Sequence, residues 1–579
     1  MYILSFKTGH DPAACLLEDG RIIAAVEEER FVRVKHAADY FPERAIRYCL
    51  SLRDLKIDDV DYIVFARAKN IRTLFKVTLY FISRPPRNII EVRYALSLLK
   101  VQLNGVIAAV FGKAPYQRIF KIIGGKPRCV YSFDHHLCHA ASAYYGSGFG
   151  DAAILCMDGK GEATSISMWY GKDGKLRKLK SYGIFNSLGY LYGSVTDFLG
   201  FRINDGEYKV MGLAPYGKPT YEMDDVISVD EDGARINTRY SLYPFSVSNL
   251  ETRFPNFAKE YNEASPPQPN TDIAATLQDR LEKAALWHVR ELLSATSDSP
   301  RSSESGTGKR QVARNLCLAG GVALNVKMNK AIWESGLIEN LWIQPAAGDM
   351  GNVLGVAWLL YYKKFKIRPG ELEHLYLGPE YNDAEIEKAL GGSGLNFRKS
   401  DDISKEAAGL LSQGKIIAWF QGRMEFGPRA LGARSVLADP RTAEMKEIIN
   451  AKIKFRESFR PFCPSFLEGH AEDFIKNYMP SPYMVMSFAV KNEWKDKIPA
   501  VVHVDETIRP QEVFHSTNPV YARMIQYFYE KTGVPVVLNT SLNVKGEPIV
   551  NTPTEAIAFF KKTDVDFLAI GPYLAKKYD

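Results

Sequence analysis

Nowhere do the 579 residues string together the roughly 18 apolar side chains that a membrane-spanning helix needs. The opening MYILSFKTGHDPAA lacks the basic stretch and small-residue cleavage site of a secretory leader, so the chain reads as cytoplasmic. Cysteine is sparse: seven residues (15, 49, 129, 138, 156, 317 and 463), odd in number, scattered and never spaced CxxC. That pattern excludes a disulfide framework or a zinc ribbon and predicts reduced thiols. Acidic residues almost vanish between Arg67 and Lys126, where twelve Lys or Arg face a single Glu91. Tyrosine and leucine are interleaved there, which predicts basic amphipathic helices turned toward an anionic substrate, a membrane surface or nucleic acid, or a plain solvated face. Histidine is scarce too, ten in all, yet His135, His136 and His139 fall within five residues.

What is present is enough for two or three domains, since one core seldom serves more than about 200 residues. The run from Tyr2 to Phe31 reads as strand, turn, strand, tight Glu-Asp-Gly turn and strand, a β-meander. Strands follow at DYIVFA and AAILCMDGKG, the second ending in an Asp and two glycines. A polar run from Ser294 to Gln311 has the composition of a mobile loop. Beyond it, NLCLAGGVALN and LWIQPAAGDMGN each read as a buried strand, a Gly-containing turn and a helix, the build of a nucleotide crevice. The division is expected at residues 365 to 375, giving domains 1–368 and 369–579 with alternating strands and helices in the second.

His135 and His139 lie one helical turn apart, so both imidazoles project from one face and suit a metal clamp; His136 points elsewhere. Asp158 and Asp349, each at the end of an apolar strand, are the candidate further ligands, and such a mixed set suits iron, manganese or zinc rather than calcium. Histidines satisfied within a core give the same pattern. No glutamate follows the first histidine as in HExxH, which argues against a metalloprotease.

The second constellation is QGRMEFGPRALGARSVLADPR with NAKIKFRESFRPFCPSFL. Arg423, Arg429, Arg434, Lys452, Lys454, Arg456 and Arg460 stand among glycines, prolines and aromatics without amphipathic period. Turn residues hold such cations in fixed directions, as recognition of phosphate or carboxylate requires. LNTSLNVKGEPIV adds Asn539, Ser541 and Asn543 at a strand end.

These motifs, with GHDPAACLLEDGRIIAAVEEERF, DHHLCHAASAYY, NDGEYKVMGLAPYG, LAGGVALNVKMN and NTSLNVKGEPIVNTP, run in order from about residue 3 to residue 575. Together they resemble the O-carbamoyltransferases typified by NodU, CmcH and TobZ. The resemblance implies an α/β and α+β architecture: an N-terminal ASKHA domain (actin-like ATPase, ribonuclease H-like) followed by a C-terminal YrdC-like domain. It implies transfer of a carbamoyl group from carbamoyl phosphate to a hydroxyl through a carbamoyl-adenylate made with ATP and Mg2+. The second domain would form the adenylate and the first transfer it to a small-molecule acceptor of the natural-product or glycolipid kind. By position, His135, His139, Asp158 and Asp349 correspond to metal ligands, typically for Fe2+, and His10 to the acceptor-side catalytic residue. Arg429, Lys454, Arg460, Arg509 and Ser541 fall where family members hold carbamoyl phosphate and nucleotide. Gly320, Gly321 and Asn325 are candidates for adenine or phosphate contact, and Lys209 for the nucleotide site. His10 has a plainer reading as a turn residue, and Arg509 as a lone arginine beside a proline.

Two rivals remain: tRNA threonylcarbamoylation, which uses both domain types and wants a broad basic groove, and an ASKHA-class kinase, suggested by the N-terminal half alone, which leaves the C-terminal cations without a task. No nucleic-acid partner is expected; a homodimer stays open. The basic insertion, about 67–126, is expected to set acceptor choice.

Overall fold

The computed structural model describes residues 1–66, 71–111, 122–125, 128–244, 246–255, 267–297 and 313–577. The chain forms two compact units, Met1–Glu28 with Ala38–Glu373, and Glu29–Ala37 with His374–Asp579. The short segment Glu29–Ala37, directly after the opening meander, therefore belongs with the second unit, a placement that the sequence does not signal.

The first unit is built on two five-stranded sheets. In one, β1 (Tyr2–Lys7), β2 (Ala13–Glu18) and β3 (Arg21–Glu27) form the expected antiparallel meander, and β4 (Tyr62–Ala66) and β5 (Val130–Phe133) add parallel to β1, giving the order β3-β2-β1-β4-β5. The other repeats this plan. β6 (Asp151–Met157), β7 (Thr164–Lys172) and β8 (Lys175–Gly183) are antiparallel, and β11 (Asn315–Ala319) and β12 (Asn340–Ile343) add parallel to β6; a separate hairpin, β9 (Ile227–Asp230) with β10 (Gly233–Ile236), intervenes in the chain. Two copies of the order 3-2-1-4-5 make the ribonuclease H-like duplication of the ASKHA class. Ligand sites in open sheets gather at the carboxyl ends of the strands, and β1 and β6 hold equivalent central places.

Four helices of this unit bear on its chemistry and its surface: α1 (Ile71–Ser83), α2 (Ile89–Val110), α3 (His135–Gly146) and α4 (Asn352–Phe365). The first two are the basic helices expected between 67 and 126; residues 67–70, 112–121 and 126–127 lie outside the described residues. So does most of the polar run expected as a mobile loop, because a helix from Gln268 continues through Ser297 and the description resumes at Ala313. α3 and α4 approach closely because Gly355 has no side chain: a Cβ there would stand 2.1 Å from the Cys138 carbonyl oxygen. Ser5 on β1 donates to the Val353 carbonyl at 2.6 Å, joining α4 to the first sheet.

The second unit carries one eight-stranded mixed sheet, in the order β13 (Asn396–Lys399), β22 (Tyr573–Lys576), β21 (Phe567–Ile570), β14 (Ile417–Phe420), β15 (Arg434–Ala438), β20 (Val536–Ser541), β16 (Cys463–Leu467) and β19 (Gln511–Val513). A two-stranded ladder, β17 (Phe488–Ala489) with β18 (Thr507–Ile508), lies apart in the pairing. Register places Asn539 of β20 between Leu437 of β15 and Cys463 of β16, so three of the motif segments meet on adjacent strands.

Candidate active site

In the first unit the four expected ligands converge. One atom from each of His135, His139, Asp158 and Asp349 lies within 4.8 Å of all the others. His135 Nε2 stands 3.1 Å from Asp158 Oδ2, 3.2 Å from Asp349 Oδ1 and 3.1 Å from His139 Nε2. His139 Nε2 is 3.6 Å from Asp349 Oδ1 and 3.9 Å from Asp158 Oδ2. The helical period of α3 puts both imidazoles on one face, β6 delivers Asp158 directly after its last residue, and the loop between β12 and α4 delivers Asp349.

Further residues complete this cluster, and no sequence pattern announces them. Lys7 on β1 pairs with Asp349 Oδ2 at 3.0 Å and also donates to the His10 carbonyl. Asn352 Nδ2 lies 3.3 Å from His139 Nε2, and the Gly321 N–H donates to Asp158 Oδ1 at 3.2 Å. A lysine inside a β-strand and an asparagine opening a helix carry no distinguishing spacing, so only the fold assembles them. Burial opposes charge on His135, but Asp349 and Asp158 more than offset it, and its pKa is raised to about 10. Burial also works against charge on the two carboxyls; His135 nevertheless holds Asp158 down to about 2, and Lys7 and His135 hold Asp349 well below the usual range. His136 differs: burial, then the charge of His135, pushes it down to about 3, and its ring nitrogens contact Ser167 Oγ at 2.9 Å and the Thr164 carbonyl at 3.0 Å. It is a core histidine.

The donor set tests well against a divalent transition ion. Two imidazole nitrogens and two carboxylates meet at one point, and two Nε2 atoms face each other at 3.1 Å. Such a nitrogen and oxygen set suits iron, manganese or zinc. His10 sits at the turn after β1, half-exposed, with Nδ1 2.7 Å from Asp11 Oδ2.

Of the other first-unit candidates, Gly320 and Gly321 follow β11 beside Asp158. Asn325 caps a helix through the Met328 N–H and exchanges two amide hydrogen bonds with Gln278, at 2.9 and 3.0 Å, so its side chain is engaged within the protein. Lys209 lies over the Phe201 ring at 5.3 Å.

In the second unit, Lys454 ends a π-helical turn, Asn450–Lys454, and is 4% exposed. Its Nζ donates to the Ser541 carbonyl at 2.6 Å, Ser541 Oγ at 3.2 Å, the Asn543 carbonyl at 2.9 Å and Asn543 Oδ1 at 2.8 Å. Burial, then the charges of Arg456, Arg460 and Lys35, depress its pKa well below that of an ordinary lysine. Cations crowded so closely weaken one another's charge and favour an anion set among them. Lys35 comes from the Glu29–Ala37 segment, which the expected boundary assigns to the first domain. That segment is fastened to two motif loops: Arg30 donates to the Gly427 carbonyl at 2.7 Å, and Arg33 to the carbonyls of Ile549 at 2.6 Å and Pro548 at 2.8 Å.

Arg429 rides on the Gly427–Gly432 loop, which folds around Glu425: one carboxylate oxygen accepts the N–H groups of Leu431, Ala433 and Arg434 at 2.7, 2.8 and 3.1 Å. Asn539 Nδ2 donates to the neighbouring Ala430 carbonyl at 3.3 Å and to Ser465 Oγ at 2.9 Å, so this asparagine is buried in the sheet. Arg509 donates twice to Cys463 Sγ, at 3.1 and 2.9 Å. Arg434 and Arg423 are structural. Arg434 is fully buried, stacks 3.6 Å over Phe420 and donates to four carbonyls, while Arg423 donates to Leu377 and Gly378. A cleft of about 450 Å³ in this unit is lined by Glu380, Asp383, Asp401, Asp402 and Arg523, and its acidic wall is unsuited to phosphate.

A duplicated ribonuclease H-like unit with reactive groups at the ends of its central strands defines an α/β enzyme of the ASKHA class. Residues 2–358 match the family described as Carbamoyltransferase N-terminus, and residues 408–577 match Carbamoyltransferase C-terminus. The chain is similar to nodulation protein NolNO of Sinorhizobium fredii, 36% identical across 98% of this chain and 79% of that one. It is 37% identical to nodulation protein NolO of Bradyrhizobium diazoefficiens over 77% and 79% of the two chains, and 28% identical to nodulation protein U of Rhizobium tropici over 94% and 91%. The chain belongs to the carbamoyltransferase family, and its activity is carbamoyl transfer.

Proposed function

We propose that the protein is an ATP-dependent O-carbamoyltransferase in which the second unit makes a carbamoyl-adenylate and the first passes the carbamoyl group to a hydroxyl of a small-molecule acceptor. The observation that carries this reading is the chemical contrast between the two units: a cluster of cations around Lys454 in one, and a cluster of imidazoles and carboxylates around His135 in the other. In the second unit the ligand is carbamoyl phosphate with ATP as its Mg2+ complex. Lys454 and Arg460 neutralise phosphate charge, Ser541 and Asn543 offer hydrogen bonds, and Arg429 and Arg509 flank the ligand from adjoining segments. This supports a YrdC-like role for residues 374–579. The overall balance consumes carbamoyl phosphate, ATP, one water and the alcohol, and yields the carbamate ester, AMP, pyrophosphate and phosphate.

In the first unit His135, His139, Asp158 and Asp349 hold a divalent ion, with Fe2+ the first expectation. When bound it supplies a Lewis acid for the carbonyl or phosphate of the adenylate. Lys7 fixes Asp349 and the Gly321 N–H orients Asp158, so both carboxylates are held before the substrate arrives. His10, oriented by Asp11, takes the alcohol proton, a role typically contributing about 100- to 10,000-fold in rate.

The test is incubation with carbamoyl phosphate, ATP and a ferrous salt, following pyrophosphate release and carbamoyl-AMP by mass spectrometry. Lys454→Met is expected to abolish both. His135→Ala is expected to preserve both while stopping acceptor modification. Release of ADP in place of pyrophosphate, or equal loss of both steps in His135→Ala, would overturn the reading.

A further inference from the structure

The pair α1–α2 presents an apolar surface that the transfer chemistry does not use. On α1, Ile71, Phe75, Leu79 and Ile82 share one face by helical spacing and are exposed, Ile71 by 66% and Ile82 by 70%. On α2, Ile89, Val92, Leu96, Leu103, Ile107 and Val110 form a second stripe, with Leu96 63% and Val110 76% exposed. Soluble surfaces seldom gather so many large apolar side chains without a partner for them. The opposite faces are accounted for: Val77 and Phe81 of α1 and Ile90, Tyr94, Ala95 and Leu98 of α2 form a core with Ile184 and Leu242.

Charge says what that surface fits. Arg72, Lys76, Arg84, Arg87, Arg93 and Lys100 are all exposed on or between the two helices. By the helical period Arg72 borders the stripe of α1, where Lys76 pairs with Asp134 at 3.2 Å, and Arg93 and Lys100 border that of α2. The single acid of residues 71–111, Glu91, is buried, accepting from Thr238 Oγ1 at 2.6 Å and from the Arg87 N–H at 2.7 Å. The exposed charge that these helices carry is thus of one sign. No helix among the described residues is long and apolar enough to cross a membrane. Apolar stripes edged by cations on helices that do not span are the build of a surface lying in the headgroup layer of a bilayer.

We propose that α1 and α2 form a docking surface for an anionic lipid bilayer. The same helices rest on the loop that carries Asp158: Tyr94 Oη lies 3.2 Å from Tyr190 Oη, Lys160 stands 5.8 Å from both rings, and the Tyr190 N–H is capped by Ser187, which donates to the Gly159 carbonyl at 2.7 Å. These contacts come from the buried face of α2, so the helix pair is anchored through Tyr94 while its apolar stripe stays outward. The inference is independent of the carbamoyl-transfer reading, because binding alone tests it.

The experiment is co-sedimentation of the full chain with vesicles of phosphatidylglycerol and phosphatidylcholine, against vesicles of phosphatidylcholine alone. Partition is expected to favour the anionic vesicles at least about tenfold and to weaken with added salt. The paired change Arg93→Glu with Lys100→Glu is expected to remove that preference, and Ile82→Asn with Leu96→Asn to lower binding to both vesicle types. Circular dichroism and the thermal midpoint should stay unchanged in both variants. Absence of binding to anionic vesicles, equal binding to neutral ones, or binding that survives both variants would overturn the proposal. So would a dimer that the apolar pair dissolves without any vesicle binding, which would make a second copy the occupant.

Discussion

Asp349 answers to three neighbours at once. Lys7 holds one of its oxygens at 3.0 Å while His135 and His139 approach the other at 3.2 and 3.6 Å, so its charge is fixed against burial. Lys454 is in the reverse position: it is buried, hydrogen-bonded to four oxygens and weakened by other cations, a state that the proposed phosphate ligand would relieve. Glu28 is a third buried charge, and it belongs to stability. Its oxygens accept the N–H groups of Ala45 at 2.8 Å and Arg44 at 3.3 Å, yet burial outweighs these contacts and raises its pKa to about 7. The folded state then holds this proton more tightly than the unfolded chain does. Its contribution is complete below about pH 4.5, falls as pH rises through about 7, and amounts to at most about 3 kcal/mol. Glu28→Gln should flatten the decline in unfolding free energy between about pH 5 and about pH 8, measured by denaturant titration; an unchanged slope would assign it to other groups. His135, His139, Asp158 and Asp349 are legible in the sequence because a helical spacing and two strand ends mark them. Lys7, Asn352 and Lys35 are not, because an isolated lysine or asparagine has no pattern until the fold supplies its neighbours.

At the scale of elements, the loop Gly427–Gly432 carries Arg429 and depends on Gly432. That residue has φ +93°, and a Cβ would stand 2.1 Å from Tyr521 Cδ1. Gly432→Ala therefore combines backbone strain with a clash against a buried ring, and a loss of about 2–5 kcal/mol is expected, with pyrophosphate release falling in parallel. A thermal midpoint unchanged by the substitution would mean that the loop relaxes without harm. The segment Glu29–Ala37 makes the opposite point about legibility. Its composition reads as the continuation of the opening meander, while Arg30 and Arg33 bind it to backbone carbonyls some 400 to 500 positions away in sequence. Long-range hydrogen bonds from arginine to carbonyl leave no trace in local periodicity. Asn325 and Asn539 illustrate the same limit, since a helix cap and a sheet-buried amide use the residue types that also suit a ligand contact.

For the whole molecule, two cores and two chemically distinct clusters imply two separable responses to ligands. With the proposed ion loaded, its chelation should speed hydrogen exchange in α3 and at the end of β6 while leaving β20 unchanged. Carbamoyl phosphate should slow exchange around 450–460 and 541–545 while leaving α3 unchanged. Exchange that changes equally throughout both units in either experiment would contradict the assignment of one ligand to each. The duplicated order of five strands explains why the opening meander and the later strand-turn-helix units read so differently in sequence yet build the same sheet twice: in the second copy the parallel strands are separated from the antiparallel three by more than 130 residues. Local apolar runs and turn glycines determined the strands and the meander, because each depends on near neighbours along the chain, and the ordered motifs from about residue 3 to residue 575 carried the resemblance to the family. Tertiary structure alone decided that the second unit borrows Glu29–Ala37, that Lys7 and Asn352 complete the histidine cluster, and that Lys35 joins Lys454, because charge and hydrogen bonding act across space between residues whose separation in sequence carries no signal.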